Sequence, residues 1–129
     1  MNLESVIFAG GIYNIILVIF HLTFWKLFKW KKDLARITFI NRAVMQVLNL
    51  SLTFVFLMFA YISLFHAQEL ISTNLGISLL LMISIFWFLR AIEQIIFFGL
   101  KNVTSVMFFL FFLLGSIIYL YPFLESINS

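Results

Sequence analysis

His21, Arg42, Gln46, Asn49, Arg90, Glu93 and Gln94 are the side chains of this sequence best equipped for chemistry, and all of them sit within or beside strongly apolar segments. Arg42, Gln46 and Asn49 are spaced i, i+4 and i+7, so a helix carries them as one stripe. Arg90, Glu93 and Gln94 crowd a single turn, with Trp87 one turn earlier. His21 shares a helical face with Asn14, two turns away. Histidine and glutamate can exchange protons near neutral pH, and guanidinium groups fix phosphate or carboxylate.

This set supports two readings. In one, Arg90 and Glu93 form a fixed ion pair while Asn, Gln and His hydrogen-bond between helices, each bond contributing about 0.6 kcal/mol in a membrane interior. In the other, the set lines a water-accessible pocket for a lipid headgroup, a small anion or a proton. His21 and Glu93 then titrate, and Arg42 and Arg90 hold negative charge. Arg90 is the costly member, because a charge near the middle of a membrane span is unfavourable by about 2.5–3.5 kcal/mol on insertion scales. It needs a partner, and Glu93, three residues along, is near enough to pair.

These residues must be positioned by membrane helices. With 64% hydrophobic and 10% charged residues, and a mean hydropathy of +1.16, the 129-residue chain lies far from the composition of a water-soluble domain. About 20 apolar residues cross about 30 Å of hydrocarbon. Four segments reach that length, approximately 6–25, 43–65, 75–98 and 103–123. No alternating pattern marks them as barrel strands. Asn41, the Ser72-Thr73-Asn74 cluster and Asn102 stand where side chains can cap helix starts, and Pro122 is expected to end the last helix. Short connections make consecutive helices antiparallel neighbours. The expected fold is all-α, a membrane-embedded up-down-up-down four-helix bundle forming one domain over residues 1–129. Its fourth helix, rich in Phe and Leu, is expected to be the lipid-facing member.

Orientation follows from the basic residues. Lys26, Lys29, Lys31, Lys32, Arg36 and Arg42 occupy loop 26–42, and Lys101 the turn after the third helix, whereas the termini and the loop 65–74 hold no Lys or Arg. The positive-inside rule therefore places loop 26–42 in the cytoplasm and both termini outside. In that loop Leu27, Trp30, Leu34 and Ile37 recur at helical spacing, consistent with an amphipathic helix in the headgroup layer. The net charge of +3 is concentrated here, which favours the lipid bilayer, and anionic lipids at the basic loop, over nucleic acid as partner. The N-terminus lacks the basic region of a signal peptide, so the first span is expected to be retained.

Several chemistries find no support. Cysteine is absent, which excludes disulfides, thiolate metal sites and cysteine nucleophiles. No catalytic triad, glycine-rich phosphate loop, HExxH or paired-carboxylate arrangement occurs, and His66 lies at the opposite depth from His21, so neither a catalytic set, a cofactor nor a metal is expected. Gly10, Gly11, Gly76 and Gly115 permit close helix approach without a GxxxG pair. On this reading the outer half of the bundle is nearly inert.

Three blocks carry a likeness to known proteins: His21 to Trp30 (HLTFWKLFKW), Asn41-Arg42-Ala43 with Gln46 and Asn49, and Phe86-Trp87 with Arg90 and Gln94. Together they resemble a group of small four-helix bacterial membrane proteins of unknown function. That resemblance implies a multi-pass protein of the bacterial inner membrane and supplies no activity. Arg42-Ala43, Asn49 and Arg90 are also loosely similar to the membrane-associated glutathione-dependent eicosanoid enzymes. The chain departs from them in lacking a helix-2 glutamate after the asparagine, where Ser51, Leu52 and Thr53 stand, and in lacking an arginine on helix 4. The first expectation is a non-enzymatic membrane protein whose polar cluster holds the bundle together, alone, as a homo-oligomer or with a membrane partner. The second is a binder or carrier of a lipid headgroup or small anionic solute, and the third, implied by the looser likeness, is a membrane enzyme similar to the glutathione-dependent four-helix enzymes.

Overall fold

The computed structural model describes residues 2–128, so Met1 and Ser129, at the tips of the two termini expected outside, lie beyond the described residues. Helices α1 (Leu3–Leu22), α4 (Phe39–Phe65), α6 (Asn74–Glu93) and α7 (Val103–Ile127) are joined by the short helices α2 (Phe24–Leu27), α3 (Trp30–Asp33) and α5 (Ala67–Ser72). Four helical segments, Leu3–Leu22, Phe39–Phe65, Asn74–Phe98 and Val103–Ile127, are long and apolar enough to cross a membrane. At about 1.5 Å per residue each reaches at least the thickness of a hydrocarbon core. The fold is an all-α helical bundle, as the sequence predicts.

Local chemistry sets most boundaries, in places differently from the sequence reading. Thr38, rather than Asn41, caps α4: its hydroxyl accepts from the Asn41 N–H. The Thr73 hydroxyl caps α6 by accepting from the Gly76 N–H, and Asn102 caps α7 through the Thr104 N–H. Pro122 does not end α7, which continues to Ile127 with the proline buried inside it. Its missing N–H withdraws one donor from the preceding turn, a loss that a packed membrane helix tolerates.

The basic loop is not one amphipathic helix. Lys29 adopts a left-handed backbone (φ 53°) and separates α2 from α3, and a 3₁₀ turn, Leu34–Arg36, follows. Trp30 and Leu34 are buried, but Leu27 is exposed, so the apolar residues do not share one face.

The main packed pairs are α1 with α4, α6 with α7, and α1 with α7, while no comparable backbone approach joins α4 to α6. The ring of four long helices is thus closed on three seams and loose on the fourth. Aromatic rings span the loose seam: Phe56 stacks on Trp87 at 5.1 Å, and Phe59 meets Phe86 at 5.4 Å. Helix α7 is not a peripheral member, because Phe112, Gly115, Ser116, Tyr119 and Pro122 face the interior, and it is as buried as α4.

The seam between α1 and α7 is closed by reciprocal tyrosine and glycine contacts. The Tyr119 hydroxyl end lies over Gly10 and the Tyr13 hydroxyl end over Gly115, each so close that a methyl group on the glycine would fall within 3 Å of the ring. Each aromatic ring of one helix fills the space that the missing side chain of the other leaves, which brings the backbones together.

Candidate functional site

The loose seam holds a cavity of about 320 Å³. Its wall is built from Leu17 and His21 of α1, Leu52 and Phe56 of α4, Phe112 of α7, and Phe86, Trp87, Leu89, Arg90 and Glu93 of α6. The lining is segregated along the bundle axis. His21, Arg90 and Glu93 stand toward the end that carries the basic loop, and Leu17, Leu52, Phe56 and Phe86 stand toward the middle.

Arg90 is half-buried, and its hydrogen bond goes to Gln94 rather than to Glu93, which lies beyond ion-pair distance but near enough to act on its charge. Its Nη2 donates to Gln94 Oε1 at 3.2 Å, and the guanidinium lies 4.3 Å from the centre of the Phe112 ring. A guanidinium only donates, so the Gln94 amide must turn its oxygen to Arg90 and its nitrogen away. That nitrogen donates to Ser105 Oγ at 2.9 Å, and Ser105 in turn donates to the Gly99 carbonyl. The α6 helix gives way to a π-helical turn, Gln94–Phe98, at the buried Gln94, which bridges Arg90 to α7. Among the described residues the ion pair within 4 Å is His66 with Glu69 at the far end of the bundle; Arg90 and Glu93 do not form one.

His21 is fixed by the neighbouring helix. Asn49 Nδ2 donates to the His21 carbonyl at 3.2 Å, which orients the amide so that its oxygen meets His21 Nδ1 at 2.9 Å. Nδ1 is therefore the protonated nitrogen, and in the neutral ring Nε2 is left as an acceptor. The Phe24 ring stacks on the imidazole at 4.3 Å.

The seven residues singled out by sequence thus fall into three groups. His21, Arg90 and Glu93 line the cavity; Asn49 and Gln94 hold His21 and Arg90 from behind. Arg42 and Gln46 stand outside it, and Arg42 instead donates to the Leu34 carbonyl at 3.3 Å, tying the basic loop to the start of α4. Trp87 was read from sequence only as a neighbour of Arg90. It is fully buried, lines the cavity, and its indole N–H finds no acceptor among the described residues. A buried donor without an acceptor is costly, and Trp87 carries that cost in the cavity wall.

The other half of the bundle is not inert. Asn14, fully buried, donates through Nδ2 to the Gly10 carbonyl at 2.9 Å and to the Tyr119 hydroxyl at 2.8 Å, and the same hydroxyl lies 2.7 Å from Ser63 Oγ. This network ties α1, α4 and α7 together. Ser84 bonds the Ser116 carbonyl at 2.9 Å, and Tyr13 donates to the Phe111 carbonyl at 2.9 Å, which link α6 to α7 and α1 to α7. The sequence signal for this network was present in Asn14, but its partners are isolated serines and tyrosines in apolar runs, whose facing cannot be read without the packing.

Comparison with known proteins finds no matching family model, no matching curated protein and no matching solved structure. The four apolar helices make the chain a multi-pass membrane protein of the all-α class.

Proposed function

We propose that the chain is a non-enzymatic membrane protein that binds the phosphate of a lipid headgroup in the cavity between α4 and α6. One observation carries this reading: Arg90 lines the cavity with no carboxylate within 4 Å of it among the described residues. A guanidinium, whose planar N–H groups can donate two parallel hydrogen bonds, matches the oxygens of a phosphate. The volume falls within the range of about 300–1,000 Å³ common for small-ligand sites. The axial segregation supports a lipid over a soluble anion, since the charged end suits a headgroup and the apolar end, nearer the middle of the bundle, suits the start of an acyl chain.

The alternative, that the polar cluster serves only to hold the bundle together, has less support. Interhelical bonds are made by Asn49 with His21, by Gln94 with Ser105, and by the separate network of Asn14, Tyr119, Ser63, Ser84 and Ser116. Arg90 itself makes its hydrogen bond within its own helical segment, and that bond ties no second helix.

The positive-inside rule supports a cavity in the cytoplasmic half of the membrane, with both termini outside and the basic loop on anionic lipids, and the sequence resemblance supports a bacterial inner membrane. Native mass spectrometry of protein released from detergent tests the reading. Wild-type protein is expected to retain phospholipid that Arg90→Gln loses with its helical content unchanged. Equal retention by both would sink the proposal.

A further inference from the structure

We propose that the headgroup bound in this cavity is zwitterionic: a phosphate held by Arg90, followed toward the basic end by a primary ammonium held by Glu93, as in phosphatidylethanolamine. The inference rests on the phosphate-binding reading and adds to it the role of Glu93.

Arg90 and Glu93 stand three residues apart on one helix and both line the cavity. Opposite charges at this spacing ordinarily close on each other, the more so where the surroundings are apolar. Here they remain apart, because Arg90 is held by Gln94 Oε1 on one side and the Phe112 ring on another. Gln94 is itself buried and anchored through Ser105 to α7, so the arginine is fixed at a position that does not depend on Glu93. The wall therefore presents a positive and a negative group in sequence along its length. Their backbone positions are offset by about 4.5 Å along the helix axis, with the carboxylate nearer the basic end.

A ligand whose only charge is negative would meet Arg90 and be repelled by Glu93. A phosphate followed by an ammonium matches both groups, in the order that a phospholipid presents them when its chains point to the middle of the bilayer. A primary ammonium also carries three N–H donors, which a carboxylate accepts as charge-assisted bonds, whereas a quaternary ammonium has none. The neighbouring His21 fits this order. With Nδ1 donating to Asn49, its neutral ring offers Nε2 as one more acceptor near the ammonium.

The test titrates wild type, Glu93→Gln, Arg90→Gln and Arg90→Lys with phosphatidylethanolamine, phosphatidylglycerol and phosphatidylcholine of identical chains, and reads bound lipid by native mass spectrometry. Wild type is expected to prefer the ethanolamine lipid by about tenfold over either other headgroup, the scale of one charge-assisted hydrogen bond. Glu93→Gln, a change at an exposed position, is expected to remove that preference while binding still depends on Arg90. Arg90→Gln is expected to lose all three lipids, and Arg90→Lys to keep part of the binding.

Wild-type protein that takes the glycerol or choline lipid as well as the ethanolamine lipid would overturn the zwitterion proposal. If that binding still depends on Arg90, the phosphate reading survives. Binding unchanged by every substitution would overturn both.

Discussion

Gly10→Ala places a methyl group 2.7 Å from both Cζ and the hydroxyl oxygen of Tyr119, closer than any real contact allows. The ring has nowhere to go, since Tyr119 is fully buried and its hydroxyl is bonded to Asn14 and Ser63. Overpacking of this kind costs about 1–3 kcal/mol. Displacing the hydroxyl also loosens two interhelical hydrogen bonds worth about 0.6 kcal/mol each. Against this, alanine favours the helix over glycine by about 1 kcal/mol. The net expectation is a destabilisation of about 1–3 kcal/mol, measured by reversible unfolding in mixed micelles. In a Tyr119→Phe background the hydroxyl bonds are already gone, so Gly10→Ala should cost about 1 kcal/mol less there, a coupling that a double-mutant cycle reads directly. A Gly10→Ala protein as stable as wild type, or stabilised by the helix-propensity gain alone, would refute the account of the α1/α7 seam.

Two further outcomes follow from the site and the topology. Gln94→Leu removes the acceptor that holds Arg90 and frees the guanidinium to close on Glu93, so phospholipid retention should fall at least about fivefold while circular dichroism stays unchanged; unchanged retention would mean that Gln94 does not position Arg90. Reporter fusions at the C-terminus should be active as alkaline phosphatase and dark as green fluorescent protein, as an outside terminus requires; the opposite pattern would invert the bundle and place the cavity in the other leaflet.

The number and length of the spans were legible because membrane helices are written in long apolar runs, which tolerate errors of a few residues at each end. Where a single side chain decides, the reading was less secure. Pro122 looks like a stop but sits inside α7, because packing supplies what its missing N–H removes. Lys29 gives no warning in its identity that it breaks the basic loop with a left-handed backbone. At the site, periodicity was enough to bring His21, Arg90 and Glu93 to one wall. The sequence predicts that His and Asn hydrogen-bond between helices, as His21 and Asn49 do, but Arg90's choice of Gln94 over Glu93 was not legible. Such choices depend on which helices touch, and the open seam between α4 and α6 is a property of the whole bundle that no single segment encodes.

The central claim, that a phospholipid occupies the cavity beside Arg90 and Trp87, is tested most directly by the fluorescence of Trp87 itself. Trp25→Phe with Trp30→Phe leaves Trp87 as the sole tryptophan of the chain. In nanodiscs containing phospholipid brominated near the carbonyl end of its chains, Trp87 emission should be quenched saturably at low mole fraction of the brominated lipid, and Arg90→Gln should abolish the saturable part. Quenching that rises only in proportion to bulk brominated lipid, identically in the two proteins, would contradict the claim.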